Sequence, residues 1–258
     1  MKTLAAPNQK GGVGKSAFCV NTGHAAVGRN LRVLLVDFDP QGSLGECFPA
    51  TGFHTGAEPT TSLMLFADNA EIVPERLSEN LSILRADKAL SRLTGQNQDG
   101  IQRPRRNLKK LAKEFDICII DTPGVLGESP PMTIAAMVAA DAVVCPTGVG
   151  LFEAKAIGDL WQWLRGIRSK GLNPRLRLMG LLPSRINPRS KEEKADLEEL
   201  RKAFGKQILP LVIYERKAVK DAIKNRKPIW QGVRGSGHKT AAEEWKAVTA
   251  YILNDLGV

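Results

Sequence analysis

Near its start the chain reads Asn8-Gln9-Lys10-Gly11-Gly12-Val13-Gly14-Lys15-Ser16, a glycine-rich run between a short apolar segment and a helical pattern. A turn of this composition can wrap backbone N–H groups around a phosphate at the positive end of the following helix. Lys15 then reaches the terminal phosphates, and the Ser16 hydroxyl can sit on Mg²⁺. Counting back from Lys15, the first glycine of the pattern G-x-x-x-x-G-K-[ST] falls on Gln9, so the loop is a variant. Two carboxylate clusters suit the same chemistry. The segment VLLVDFDPQG carries Asp37 and Asp39, with Pro40 and Gly42 turning the chain, and ICIIDTPG carries Asp121. An acidic residue at the carboxyl end of a strand can hold a Mg²⁺-bound water directly or through Ser16. Loop and carboxylates together point to a Mg-nucleotide site.

Positioning these groups requires strands that all end at one edge. Apolar, β-rich runs occur at 3–6, 33–38, 81–85, 117–121, 142–146, 176–182 and 207–213, separated by helical patterns at 15–28, 101–114, 131–139, 152–170, 191–204, 215–225 and 238–256. Continuously apolar strands alternating with helices predict an α/β fold: a single-domain, mainly parallel twisted sheet with helices on both faces. In such sheets ligands bind at the carboxyl ends of the strands. The segments 50–59 and 94–104 read as Gly-, Thr- and Gln-rich loops, too short to link independent domains, so residues 1–258 are expected to form one domain.

Composition narrows the function classes. The hydrophobic share of 43% and charged share of 25% are ordinary for a soluble globular chain. No apolar run approaches the roughly 20 residues of a membrane span, and no signal-peptide succession opens the chain. Cys19, Cys47, Cys118 and Cys145 lie far apart without ligand spacing, which reads as four reduced core thiols in a cytosolic protein. Net charge is +10, and positions 165 to 227 hold 18 basic against 7 acidic residues, enough to account for the whole surplus. A lopsided positive charge of this kind suggests a polyanionic partner, nucleic acid before membrane.

The motifs NQKGGVGKS, LLVDFDPQGS and IIDTPG resemble the deviant Walker A, Walker A′ and Walker B motifs of the ParA/MinD ATPases, closest to the ParA partition proteins. The resemblance implies a P-loop ATPase with ATP and Mg²⁺ as cofactors. The nucleotide would be held by Gly11, Gly12, Val13, Gly14, Lys15, Ser16 and Ala17, with Pro210 near the adenine. It makes Lys10 the extra lysine that crosses a dimer interface to the partner's nucleotide, Lys15 the phosphate-loop lysine, and Asp39 the carboxylate that positions attacking water. Ser16 would be the metal ligand, with Asp37 and Asp121 holding the metal through its water shell. A second cation delivered in trans would act as an arginine finger does and make dimerisation depend on ATP. The family usually has two threonines after the second lysine; Ser16-Ala17 keeps the metal hydroxyl and loses a side-chain phosphate contact. The implied function is an ATP-dependent sandwich homodimer that binds DNA non-specifically. Its slow, Mg-dependent hydrolysis would be controlled by a ParB-type centromere-binding partner, to segregate a plasmid or chromosome from a cytoplasmic, nucleoid-associated location.

The segment ERKAVKDAIKNRKPI carries the DNA expectation. At 100° per residue, Arg216, Lys220, Lys224 and Lys227 fall within an arc of about 80°, and Arg185, Arg189 and Lys191 extend the patch, giving a basic region within about 185–227. Such contacts release counterions and bind without sequence preference. ParA proteins carry nonspecific DNA-binding residues in a similar region. Because the phosphate loop comes almost at once, no preceding helix-turn-helix and no operator binding are expected. A MinD-like membrane-associated positioning ATPase is the alternative. Against it, only Lys239 and Lys246 accompany Ala242, Trp245, Val248, Ile252, Leu253 and Leu256 in the last helix, which reads as docked core. A metal-cluster carrier of the same superfamily would need cysteines placed between subunits. Trp161 and Trp163, two apart on one helix, cannot both face the core squarely.

Overall fold

The computed structural model describes residues 1–49, 57–94, 97–125 and 131–258, and only the backbone of 151–154. Eight strands form one sheet: β1 (Lys2–Ala6), β2 (Val33–Asp37), β3 (Glu75–Ser78), β4 (Leu81–Leu84), β5 (Ile117–Asp121), β6 (Ala142–Thr147), β7 (Arg177–Ile186) and β8 (Ile213–Tyr214). Their order is β3-β4-β2-β5-β1-β6-β7-β8, and every neighbouring pair is parallel except β3 with β4. Among the described residues eight α-helices accompany the sheet: α1 (Lys15–Val27), α2 (Ser43–Glu46), α3 (Gln98–Lys110), α4 (Pro131–Ala139), α5 (Leu151–Ser169), α6 (Lys191–Phe204), α7 (Lys217–Lys224) and α8 (Gly235–Leu256).

Both faces of the sheet are covered, which is why its central strands are apolar throughout. Leu34, Val36, Cys118 and Ile120 point into one core with residues of α3, α4, α5 and α6. Their strand neighbours Val33, Leu35, Ile117 and Ile119 point into the other, with residues of α1, α2, α7 and α8. All four cysteines are free thiols buried in these cores. Trp161 is buried and Trp163 half-buried, as their spacing requires.

The departures from the sequence expectation have local causes. The run 207–213 pairs as a strand only at its end. A 3₁₀ turn occupies Gly205–Gln207, Leu209 N–H alone reaches Leu181 O (2.8 Å), and Pro210 has no N–H to continue a ladder. Edge strand β3 (ERLS) escaped notice because it is polar; its Glu75 carboxylate turns inward to meet the Arg85 guanidinium at 2.5 Å. Helix α3 begins at Gln98, not 101. The Asn97 side chain caps it by accepting from Gly100 N (2.9 Å), and Pro104 is accommodated inside the helix. The expected loop 94–104 is thus helical from 98, and parts of both loop readings (50–56 and 95–96) lie outside the described residues.

The α5–β7 connection is stitched by Asn173, which is 2% exposed and donates from Nδ2 to the carbonyls of Met137 (2.9 Å), Val138 (3.3 Å) and Ala140 (2.7 Å) at the end of α4. Removing a buried donor and leaving its acceptors unpaired costs about 1–3 kcal/mol. Asn173→Ala is expected to lower the calorimetric midpoint by roughly 2–4 °C per kcal/mol lost; an unchanged midpoint would remove this residue's structural role.

Candidate functional site

The phosphate loop leaves β1 at Ala6 and enters α1 through Gly14, whose φ of 93° is left-handed and suits glycine. Two side-chain anchors, Asn8 (buried) and Gln9 (half-buried), precede it. The Asn8 side chain donates to Pro146 O (2.6 Å) and accepts from Lys10 N (2.8 Å). Gln9, at the position where a strict motif has glycine, donates from Nε2 to Ala156 O (3.3 Å), tying the loop to the backbone of α5. From the other side Gly124 presses in: a Cβ there would lie 3.1 Å from Gly11 N, so a larger residue would force the loop backbone to shift. Val13 is buried, Gly11, Gly12 and Lys10 are exposed, and Ala17 is half-buried.

Two strand ends deliver carboxylates to the loop that leaves β1, because β1, β2 and β5 run parallel in the order β2-β5-β1 and finish together. Lys15 is 7% exposed and folds back to donate from Nζ to Lys10 O (3.0 Å). Burial lowers its pKa, against the opposing pull of Asp121 and Asp39. Asp37 and Asp121 are fully buried and paired in register across β2 and β5. Burial, reinforced by the neighbouring Asp121, pushes Asp37 up to about 7, although its oxygens accept from Gly45 N (2.9 Å) and Asp39 N (3.1 Å). Burial likewise raises Asp121 to about 6, opposed by a hydrogen bond from Ser16. Its Oδ2 is buried with no partner among the described residues. A hydroxyl and two carboxylates, one of them with an orphaned oxygen, are hard oxygen donors, and they fit a hard divalent cation better than a soft one. Asp39 stands half-buried beside them, its Oδ1 accepting from Gln41 N (3.0 Å).

Gly12, Lys15, Ser16, Ala17 and Asp39 line a cavity of about 680 Å³, and the buried Asp37 and Asp121 lie outside its lining. Its far wall was not legible in the motifs. Arg185 has φ 60°, a strained value for a side-chain-bearing residue, at the register shift between β7 and β8. Its guanidinium donates to Gly12 O across the loop and pairs with Glu215 (3.1 Å), which also holds Lys220 (2.8 Å). Pro210 does not reach this cavity: it is exposed, and its carbonyl accepts from Arg201 (3.2 Å).

The basic arm differs from the continuous stripe its sequence suggests. Arg216 precedes α7 in an extended conformation, so the helical arc does not include it. Its guanidinium pairs with Glu244 (2.5 and 2.9 Å) and lies over the Tyr214 ring (5.7 Å). Helix α7 is a partition: Lys220 and Lys224 line the phosphate-loop cavity, whereas Arg189, Lys217, Lys227 and Arg234 line a second, open cleft of about 1140 Å³ on its other side. Lys191 is exposed outside both linings.

Comparison with known proteins agrees with this geometry. A family model described as an AAA domain matches residues 1–178. The chromosome partitioning protein ParA of Myxococcus xanthus is 30% identical over 236 residues, covering 88% of this chain and 80% of that protein. The chain belongs to the ParA-type partition ATPases. Within the family, protein IncC of Escherichia coli is 28% identical over 266 residues, covering all of this chain and 71% of that protein. The fold of Cyanothece McdA superposes with a TM-score of 0.80 at 22% identity, covering 98% and 99% of the two chains. The same McdA is also solved as an ATP complex of a variant. This ParA-type chain thus carries the deviant loop with Gln9 and Lys10 in a sheet of the family's architecture.

The buried carboxylates set a pH dependence. Asp37 titrates near 7 when folded and near its ordinary 3.8 when unfolded, so between those values the folded state binds the extra proton and stability falls as pH rises. The thermal midpoint of the nucleotide-free chain is therefore expected to fall from pH 6 to 7.5, and Asp37→Asn to flatten that slope. Equal slopes for both proteins in circular-dichroism melts would contradict the assigned burial penalty.

Proposed function

We propose that this chain is a Mg-dependent ATPase in which hydrolysis switches an ATP-bound homodimer off non-specific DNA, under the control of a ParB-type partner. The observation that supports it most is the juxtaposition of Lys15, the Ser16 hydroxyl and the orphaned Asp121 oxygen at the foot of a glycine-rich loop. Residues 1–258 act as one ATPase domain in this proposal.

The loop amides of Gly11, Gly12, Gly14, Lys15 and Ala17 would cradle the phosphates at the positive end of α1. Ser16 would hold Mg²⁺, with Asp37 and Asp121 anchoring its waters; the ion, when bound, neutralises charge on the phosphate oxygens. Lys15 swings from the Lys10 carbonyl to the γ-phosphate. Asp39, beside the cavity and less buried than its neighbours, orients the attacking water. Lys10 is exposed on the loop, where a second copy's nucleotide can meet it. Charge at the γ-phosphate then favours the dimer, and its loss removes the differential contact.

For DNA, the open cleft with Arg189, Lys217, Lys227 and Arg234 supports backbone binding better than the Arg216–Lys220–Lys224 stripe. Arg216 is already paired, and Lys220 and Lys224 face the nucleotide cavity. The membrane alternative finds less support. Trp245, Val248, Ile252, Leu253 and Leu256 of α8 are buried in the core, and no helix among the described residues is long and apolar enough to cross a bilayer.

Calorimetric titration with Mg·ATP tests the site: Lys15→Ala is expected to abolish the binding heat, and Asp39→Ala to bind ATP but stay dimeric on gel filtration. Normal turnover by the Asp39 variant would refute its assigned role. Arg189→Glu with Lys227→Glu is expected to weaken DNA retention at low salt without changing ATP affinity; undiminished retention would discard the cleft.

A further inference from the structure

At the opposite pole of the sheet, where β6 and β7 begin, lies a groove of about 560 Å³ that takes no part in the nucleotide site. Four arginines line it: Arg165 and Arg168 from α5, Arg175 from the connecting loop and Arg177 at the first position of β7. At 100° per residue, Trp161, Arg165 and Arg168 fall within about 60° of one another, so α5 presents them as a single stripe. Arg177 is paired with Asp255 (3.2 Å). Arg165, Arg168 and Arg175 are exposed and have no ion pair among the described residues. Two buried polar atoms of the lining lack partners as well: Trp161 Nε1, on a residue 9% exposed, and Gln207 Oε1.

The scaffold under this cluster is rigid. Asn173 pins the connecting loop to α4, Leu176 N–H donates to Asn173 O (3.1 Å), and Arg177 N–H to Asp141 O (2.9 Å). Holding like charges together without counterions destabilises the folded state; a polyanion laid in the groove reverses that. Guanidinium groups present planar forks that match phosphate oxygens two at a time. Of the apolar lining, Trp161 and Leu176 are buried and Leu178 is half-buried, which leaves Pro174 and the four arginines as the exposed groups of the groove. A polynucleotide, with charge repeated along its backbone, can meet several guanidinium groups at once. We infer that this arginine groove is a second nucleic-acid backbone site, separate from both the nucleotide cavity and the cleft beside α7.

The test uses the full chain and a random-sequence duplex, with affinity followed by fluorescence anisotropy over a salt series, with and without Mg·ATP. Each phosphate contact contributes about 0.9 to the slope of log affinity against log salt. Arg165→Ala with Arg168→Ala is expected to reduce that slope by about 2 and weaken binding about tenfold or more, whereas Arg165→Lys with Arg168→Lys keeps the slope. Both sites are exposed, and an unchanged circular-dichroism melt verifies that the variants fold. Arg189→Glu with Lys227→Glu is measured beside them. Loss of slope in the α5 variant supports the inference whatever the cleft variant does; if the cleft variant is then unaffected, only the α7-side proposal fails. An unchanged slope in the α5 variant, with binding lost in the cleft variant, overturns the inference and leaves the proposed function standing. Binding of a fluorescent oligo-glutamate that depends on Arg165 and Arg168, with the DNA slope unchanged, would assign the groove to an acidic protein and overturn it. No DNA binding by the parent chain in any nucleotide state would overturn both.

Discussion

The structure depends on charge that its own residues do not fully neutralise where β1, β2 and β5 end. Parallel strands joined by crossover helices all finish at one edge, so their terminal residues converge without any loop having to reach. Here that convergence buries Lys15 with Asp37 and Asp121 and leaves Asp121 Oδ2 unpartnered. Burial is the main reason both acids resist ionisation, reinforced by Asp121 beside Asp37 and by Asp39 beside Asp121. The arrangement is poised for added cation and added phosphate together.

Beyond that edge, ion pairs and one hydrogen bond tie the phosphate loop to β7 and α7. Glu215 holds both Arg185, which reaches the loop at Gly12, and Lys220 of α7. Residues 215 and 216 border both the nucleotide cavity and the open cleft, so a shift of Arg185 is mechanically close to the basic surface. The arginine groove by α5 lies at the other pole, on its own rigid loop, and shares no lining residue with either cavity.

Much of the fold was legible because it rests on local pattern. Apolar runs bounded by turns placed β1, β2, β4, β5 and β6 to within a residue or two, since strands buried on both faces have no polar side to blur the signal. Pattern failed where tertiary contacts decide. Strand β3 is polar because Arg85 satisfies its one inward acid, and the 207–213 run is mostly unpaired because Pro210 interrupts its donors. At the site, the loop and its carboxylates were legible as motifs. Arg185 and Glu215 were not, because they lie about 170 to 200 positions further along the chain and only sheet closure brings them near.

By itself the sequence determined what the loop can offer: a glycine-rich turn with Lys15 and Ser16, carboxylates at Asp37, Asp39 and Asp121, and strands that share one edge. These follow from residue type and from periodicities of 2 and 3.6, which are properties of the local chain. Only the tertiary structure decided which cations stay available. Arg216 reads like Lys227 in a linear segment, yet it is matched by Glu244 from another helix while Lys227 remains exposed. Ion pairing is set by distance in space, and no local pattern encodes it.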